Sequence, residues 1–105
     1  MKDPILEKFL NALKPFQKKI ISTYLFGSRA RGTERPDSDY DILLVVSDTF
    51  TLEDKDAIYD TVLDILLETG RLVSLKVFKQ SVFKRLSEME TPFMNHIHRE
   101  GILLG

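Results

Sequence analysis

Two aspartates one residue apart, Asp39 and Asp41, lead directly into the apolar run Ile42-Leu43-Leu44-Val45-Val46. On an extended chain side chains alternate between faces, so these two carboxylates project from the same side and can share a hard, oxygen-seeking cation. Upstream stands Gly27-Ser28-Arg29-Ala30-Arg31-Gly32, with ten residues between Ser28 and Asp39. A glycine at a strand end lets backbone approach a phosphate closely, and a serine just after it offers hydroxyl and amide together where a helix begins. An anion cradle beside paired carboxylates points to magnesium and phosphoryl chemistry, in which two ions about 3.5–4 Å apart clamp the attacking and leaving oxygens. The candidate set is therefore Gly27 and Ser28 for phosphate, and Asp39 and Asp41 for metal and catalysis. Arg29 and Arg31 have two readings, as phosphate contacts or as solvated partners of the acidic loop.

Competing chemistries fit less well. Asp37-x-Asp39-x-Asp41 imitates the start of an EF-hand loop, but its sixth position is Ile42 where the sharp turn needs glycine, and its twelfth is Asp48 instead of glutamate. A dehalogenase-type Asp-x-Asp follows its apolar strand, whereas these acids precede theirs. Gly27 and Gly32 have the glycine spacing of a Walker A loop, with Thr33 where lysine must stand. His96 and His98 are two apart on an expected helix, turned about 200° from each other, and are assigned no shared metal. Phe83, Phe93 and Met94 read as core or interface and not as a base-stacking platform. The plainest alternative for the glycines and paired acids, a polar turn before a solvated strand start, leaves the strand context unexplained.

The elements that must position these residues follow from local signals. Asp3 before Pro4 is an N-cap with proline at the first helical position, and Ile5, Phe9, Leu10 and Leu13 continue at helical spacing to about Lys14, before Pro15. Ile20 to Phe26 is β-branched and aromatic and stops at Gly27, which predicts a strand; Tyr40 to Val46 predicts a second, buried on both faces. Thr51 with Asp54 forms a capping-box pattern, followed by a helical face of Leu52, Ile58, Val62, Ile65 and Leu66 and closed by Gly70. A third strand spans Leu72 to Phe78, and the intervening helix makes strands two and three parallel. Ser81 opens a helix carrying Val82, Leu86 and Met89, and Thr91-Pro92 opens another that ends near Gly101. The expected architecture is α/β (α+β), a small mixed three-stranded sheet packed with helices.

Composition bounds the rest. The 105 residues suit one domain, 1–105, and 43% hydrophobic with 30% charged residues is globular composition. Such a small domain buries only about two-thirds of its unfolded surface, so a large substrate-binding half must come from another molecule. The absence of cysteine excludes disulfides, thiolate metal sites and thiol nucleophiles, and suits a cytoplasmic setting. No apolar run approaches the roughly 20 residues that span a bilayer. A formal charge of −1 argues against holding nucleic acid by bulk phosphate neutralisation. Three short strands leave sheet edges and helix faces under-covered, which predicts a homodimer or a complex with a partner.

Gly27-Ser28, the ten-residue spacer, Asp39-x-Asp41 and the closing Glu100-Gly101 before Ile102-Leu103-Leu104 together resemble the minimal nucleotidyltransferases of the DNA polymerase beta superfamily. The resemblance covers the whole chain. It implies a nucleoside triphosphate, Mg2+ in a two-metal site, and transfer of a nucleoside monophosphate, AMP from ATP, to a hydroxyl. It also implies a helical partner of the HEPN class, sometimes in a toxin–antitoxin pair in which the minimal nucleotidyltransferase is the antitoxin. One departure is expected on strand three, where active members carry a third carboxylate. The matching stretch is Val73-Ser74-Leu75-Lys76-Val77, so Ser74 or Lys76 takes that position, and neither is an acid. Asp37 and Asp48 are the substitutes within the chain, and nothing in the sequence places them well. An enzyme and a catalytically weak or inactive nucleotide-binding or structural subunit are therefore both open.

Overall fold

The structure is a computed structural model and describes residues 3–105. Asp3 caps α1 (Pro4–Ala12), its Oδ1 accepting from the amides of Ile5 at 2.9 Å and Leu6 at 3.3 Å. Pro4 takes the first turn, where an amide has no helical partner to lose. The helix expected to reach Lys14 ends at Ala12, and the chain tightens into a 3₁₀-helix over Lys14–Lys19. Pro15 is the physical reason, since it brings no amide to continue the α-helical ladder.

β1 (Ile20–Phe26) runs straight into α2 (Gly27–Arg31), a short helix that begins at the Gly27-Ser28 pair. A loop then leads to β2 (Tyr40–Val46). α3 (Leu52–Thr69) starts on the expected reciprocal cap: the Asp54 amide donates to Thr51 Oγ1 at 3.1 Å, and the Thr51 amide donates to Asp54 Oδ2 at 2.9 Å. Lys19 adds a 2.8 Å bond to the same Asp54 oxygen, tying the end of the 3₁₀-helix to the start of α3. β3 (Val73–Lys79) passes directly into α4 (Gln80–Glu88), and α5 (Pro92–Glu100) is capped by the Thr91 hydroxyl.

The sheet has four strands, one more than the sequence suggested, in the order β3-β2-β1-β4. β4 (Ile102–Leu103) pairs antiparallel with β1, and two residues are too few to show the alternation that marks a strand. β2 is central, antiparallel to β1 and, as predicted, parallel to β3. Tyr40, Ile42, Leu44 and Val46 face α1 and α3, in a core with Leu6, Phe9, Ile58, Val62 and Ile65. Leu43 and Val45 face the other way, toward Ile97, Phe83 and Phe93. That double burial is why β2 reads as an unbroken apolar run. Phe83, Phe93 and Met94 are packed as expected, but Leu52, Val82 and Met89 face outward, at 73%, 43% and 64% exposure. For α4 the buried side is set by Phe83, one residue round from the Val82 stripe, which stacks on Tyr24 at 6.1 Å. Among the described residues no helix is long and apolar enough to cross a membrane.

Candidate functional site

The end of β1 and the starts of β2 and β3 meet at one end of the sheet. Phe26, Asp41 and Ser74 are successive cross-strand partners, so they form a row across three strands. Residues in one row share a face, and here it is the face toward α4 and α5. Ser74 is thus the residue directly beside Asp41, and Lys76 lies two residues along on the same face. Asp39 sits just before β2 and is exposed, whereas Asp41 is half-buried.

Gly27 explains how Asp41 fits. Its φ is +74°, a conformation that side chains other than glycine seldom adopt, and a Cβ built on it would overlap Oδ2 of Asp41. The volume left by the missing side chain is filled by that carboxylate. The sequence assigned this glycine to phosphate approach alone; the structure gives it a second duty, admitting Asp41 to the start of α2. Burial, and then the neighbouring negative charge of Asp39, hold the Asp41 carboxyl above its ordinary value, while Lys76 and Arg31 pull it back.

Arg29 braces the loop that carries Asp39. Its Nε and Nη2 donate to the Ser38 carbonyl at 3.0 and 2.8 Å, and its guanidinium lies 3.8 Å from the centre of the Tyr40 ring. The Tyr40 hydroxyl in turn donates to Asp3 Oδ2 at 2.8 Å. Burial, and then this bond, raise the tyrosine above its ordinary value and keep it a donor. One carboxylate therefore caps α1 with one oxygen and holds β2 with the other, and Arg29 extends the connection to Ser38. Of the two readings open for Arg29, the structure shows a guanidinium occupied by its own loop.

Arg31 lies on the opposite flank. Its Nη1 is 3.8 Å from Glu100 Oε2, and His96 Nε2 is 3.5 Å from the same oxygen. Glu100 Oε2 is buried and has no hydrogen-bond partner among the described residues; its ionic contact is the loose one to Arg31, with the His96 ring beside it. Sequence reasoning gave Glu100 no role; its only signal was its place beside Gly101 in the quoted motif. His96 and His98 have separate partners, His98 pairing with the Ser87 hydroxyl at 3.0 Å. Ser28, the second residue of α2, has a hydroxyl that makes no hydrogen bond among the described residues, and its carbonyl accepts from the Thr33 amide at 2.9 Å.

Neither substitute for the third carboxylate is brought to Asp41. Asp48 follows the far end of β2, where its Oδ1 accepts from the Ser81 amide at 3.2 Å. Asp37 is exposed in the loop before β2, outside the row formed by Phe26, Asp41 and Ser74. Among the described residues there is no group of three acidic, histidine or cysteine side chains able to hold a metal. The pair Asp39 and Asp41 still suits one hard cation. Both are oxygen donors, neither makes a hydrogen bond or ion pair among the described residues, and a positive ion would relieve the burial and repulsion that raise Asp41. The remaining ligands would be water and phosphate oxygens.

Known proteins match this chain along most of its length. The family model described as "Polymerase beta, Nucleotidyltransferase" matches residues 7–105. The protein named "Putative protein adenylyltransferase MJ0604" of Methanocaldococcus jannaschii is 31% identical over 100 residues, covering 94% of this chain and 93% of that protein. Spectinomycin 9-adenylyltransferase of Enterococcus faecalis is 26% identical over 92 residues, but the match spans only 35% of that enzyme. Two crystal structures share the fold. A toxin–antitoxin with AMP-PNP aligns with a TM-score of 0.60 at 19% identity, over 94% of this chain and 71% of that one. A mutant of the toxin–antitoxin MntA–HpeT aligns with a TM-score of 0.57 at 17% identity, over the same shares.

Proposed function

This chain belongs to the polymerase beta nucleotidyltransferase family, and from that premise we propose that it transfers AMP from ATP to a hydroxyl on a protein partner. The observation that carries the reading is the seating of the Asp41 carboxylate against Gly27, which gathers anion cradle and acid pair at one sheet end. In this reading Gly27 and Ser28 hold the triphosphate, Asp39 and Asp41 hold Mg2+, and Arg31 leans on the phosphates from its Glu100 tether. Bound there, the ion neutralises phosphate charge and polarises the phosphorus–oxygen bonds. The acceptor oxygen bonds to the α-phosphorus, the bond from that phosphorus to pyrophosphate breaks, and the hydroxyl proton passes to solvent or a nearby carboxylate.

Arg29 serves as a positioning residue, keeping the Ser38–Asp39 backbone in place through its two bonds to Ser38. Lys76, on the β3 side of the site, is exposed, which supports a second molecule as the source of the acceptor. A helical partner of the HEPN class, with this chain as cytoplasmic antitoxin, is the partner reading that the fold likeness to toxin–antitoxin structures supports. Ser74 in the third-carboxylate position favours a second reading beside the first, in which nucleotide binding persists and unassisted transfer is slow.

Calorimetric titration with ATP, with and without magnesium, tests the site. Micromolar-range binding that needs magnesium and is lost in Asp39→Asn/Asp41→Asn is the expected result. Equal affinity in chelator, or in the double variant, removes Asp39 and Asp41 from the metal site.

A further inference from the structure

We propose that this site takes one divalent cation with its nucleotide, because β3 offers neutral Ser74 where a second ion would need an acid, and the positive charge of Lys76 two residues along on the same face. The inference rests on the reading of Asp39 and Asp41 as metal ligands and asks how many ions they serve.

In the register of β2 against β3, Ser74 is the partner of Asp41. Serine is neutral, so on the protein side Asp39 and Asp41 are left without a third carboxylate to hold a second dication. Lys76 is on the same face, next along the strand. Its ammonium lies 5.9 Å from the centre of the Phe93 ring, and Phe93 meets Phe26 edge-on at 5.5 Å. Phe26 is the cross-strand partner of Asp41. The lysine stem therefore lies along the aromatic surface beside the carboxylates, with its charge over a ring face that favours a cation.

Lys76 and Asp41 form no direct ion pair among the described residues, yet the lysine charge acts on the carboxylate, as does that of Arg31. Asp41 thus already feels two fixed monocations before any metal arrives. A first dication still binds, because the triphosphate brings its own oxygens and negative charge. A second would have to share the same two carboxylates, and would meet Lys76 with no acid at Ser74 to offset it.

Manganese in place of magnesium makes the count visible. With AMP-PNP as the nucleotide, electron paramagnetic resonance reports bound Mn2+ per bound nucleotide, and two ions about 4 Å apart couple and change the spectrum. Wild type should hold one Mn2+ per AMP-PNP with an uncoupled spectrum. Lys76→Met, on an exposed residue, should strengthen a second ion by about tenfold or more, and Ser74→Asp/Lys76→Met should hold two coupled ions. A coupled pair in the wild type overturns the proposal, and so does a single ion in the double variant at saturating manganese. If AMP-PNP binds with no protein-dependent Mn2+ at all, the metal reading of Asp39 and Asp41 fails first and the count falls with it.

Discussion

Gly27→Ala strikes the contact on which the site is built. The added methyl would overlap Oδ2 of Asp41 and lie 3.1 Å from its Cγ and 3.3 Å from its Cβ. Two costs add. One is the left-handed backbone, about 1–2 kcal/mol for an L-residue. The other is eviction of the carboxylate. Gly32 and Gly70 separate them, since their φ values are +74° and +72° but no atom lies within 4 Å of a built Cβ. Gly32→Ala and Gly70→Ala should therefore show the backbone cost alone, lowering Tm by roughly 4–8 °C per kcal/mol in a domain of this size. Gly27→Ala should lose more, and in an Asp41→Ala background its excess should largely vanish, a coupling of about 1 kcal/mol or more. Thermal unfolding in metal-free buffer reads the stability, and calorimetry reads magnesium-dependent ATP binding. Binding should fall at least about tenfold in Gly27→Ala, as eviction of a ligand costs a pKa-unit equivalent or more, and stay near wild type in Gly70→Ala. If Gly27→Ala matches Gly32→Ala in Tm and keeps wild-type affinity, the carboxylate does not occupy the glycine's space and the reasoning is wrong.

Arg29→Ala removes two bonds to Ser38 and the stacking on Tyr40, which should cost about 1–2 kcal/mol and speed amide exchange in residues 33–39. Arg29→Lys should recover little, because lysine lacks the planar fork; full recovery would mean that charge alone matters. Asp54 is held below its ordinary value by its bond to Lys19 and then by the Thr51 amide. Its contribution to stability is therefore present above the unfolded-state value and lost as pH falls through the lower folded value. Urea unfolding should show wild type losing stability from about pH 4 downward and Asp54→Asn losing less over that range, and parallel curves would contradict the assignment.

Local chemistry explains which parts of this fold were legible in the sequence. The Asp3 and Thr51 caps, the stop at Gly70 and the doubly buried β2 each depend on a few neighbouring residues, and all were found as expected. What escaped depends on distant partners. β4 is too short for any period and exists because β1 offers it an edge. α2 was legible only as a helix start after Gly27, since five residues carry no amphipathic stripe to show its length. Asp39 and Asp41 stood out by spacing, but Asp41's lodging against Gly27, the Arg29 grip on Ser38 and the Glu100 tether of Arg31 join residues far apart in sequence. Alternation left Ser74 and Lys76 as two candidates on one face, and only the strand register shows that Ser74 is the one beside Asp41.

The site divides into parts with different freedom to change. Gly27 and Asp41 are mutually constrained: a side chain at the first expels the carboxylate of the second, and a positive φ holds the turn into α2. Tyr40 is likewise buried under Arg29 and bonded to Asp3, so changes there disturb the attachment of α1 as well as the loop. Ser74 and Lys76 are under no such constraint. They lie on an edge strand, one half-buried and one exposed, and neither makes a hydrogen bond or ion pair among the described residues. Packing thus constrains the Gly27–Asp41 side of the proposed site, whereas its β3 side is set by two less constrained side chains, Ser74 and Lys76. Substituting an acid for Ser74 need not unfold the domain, and loss of an acid there need not abolish nucleotide binding. On the proposed reading, binding and transfer should be separable in this fold, with β3 the strand on which the separation is made.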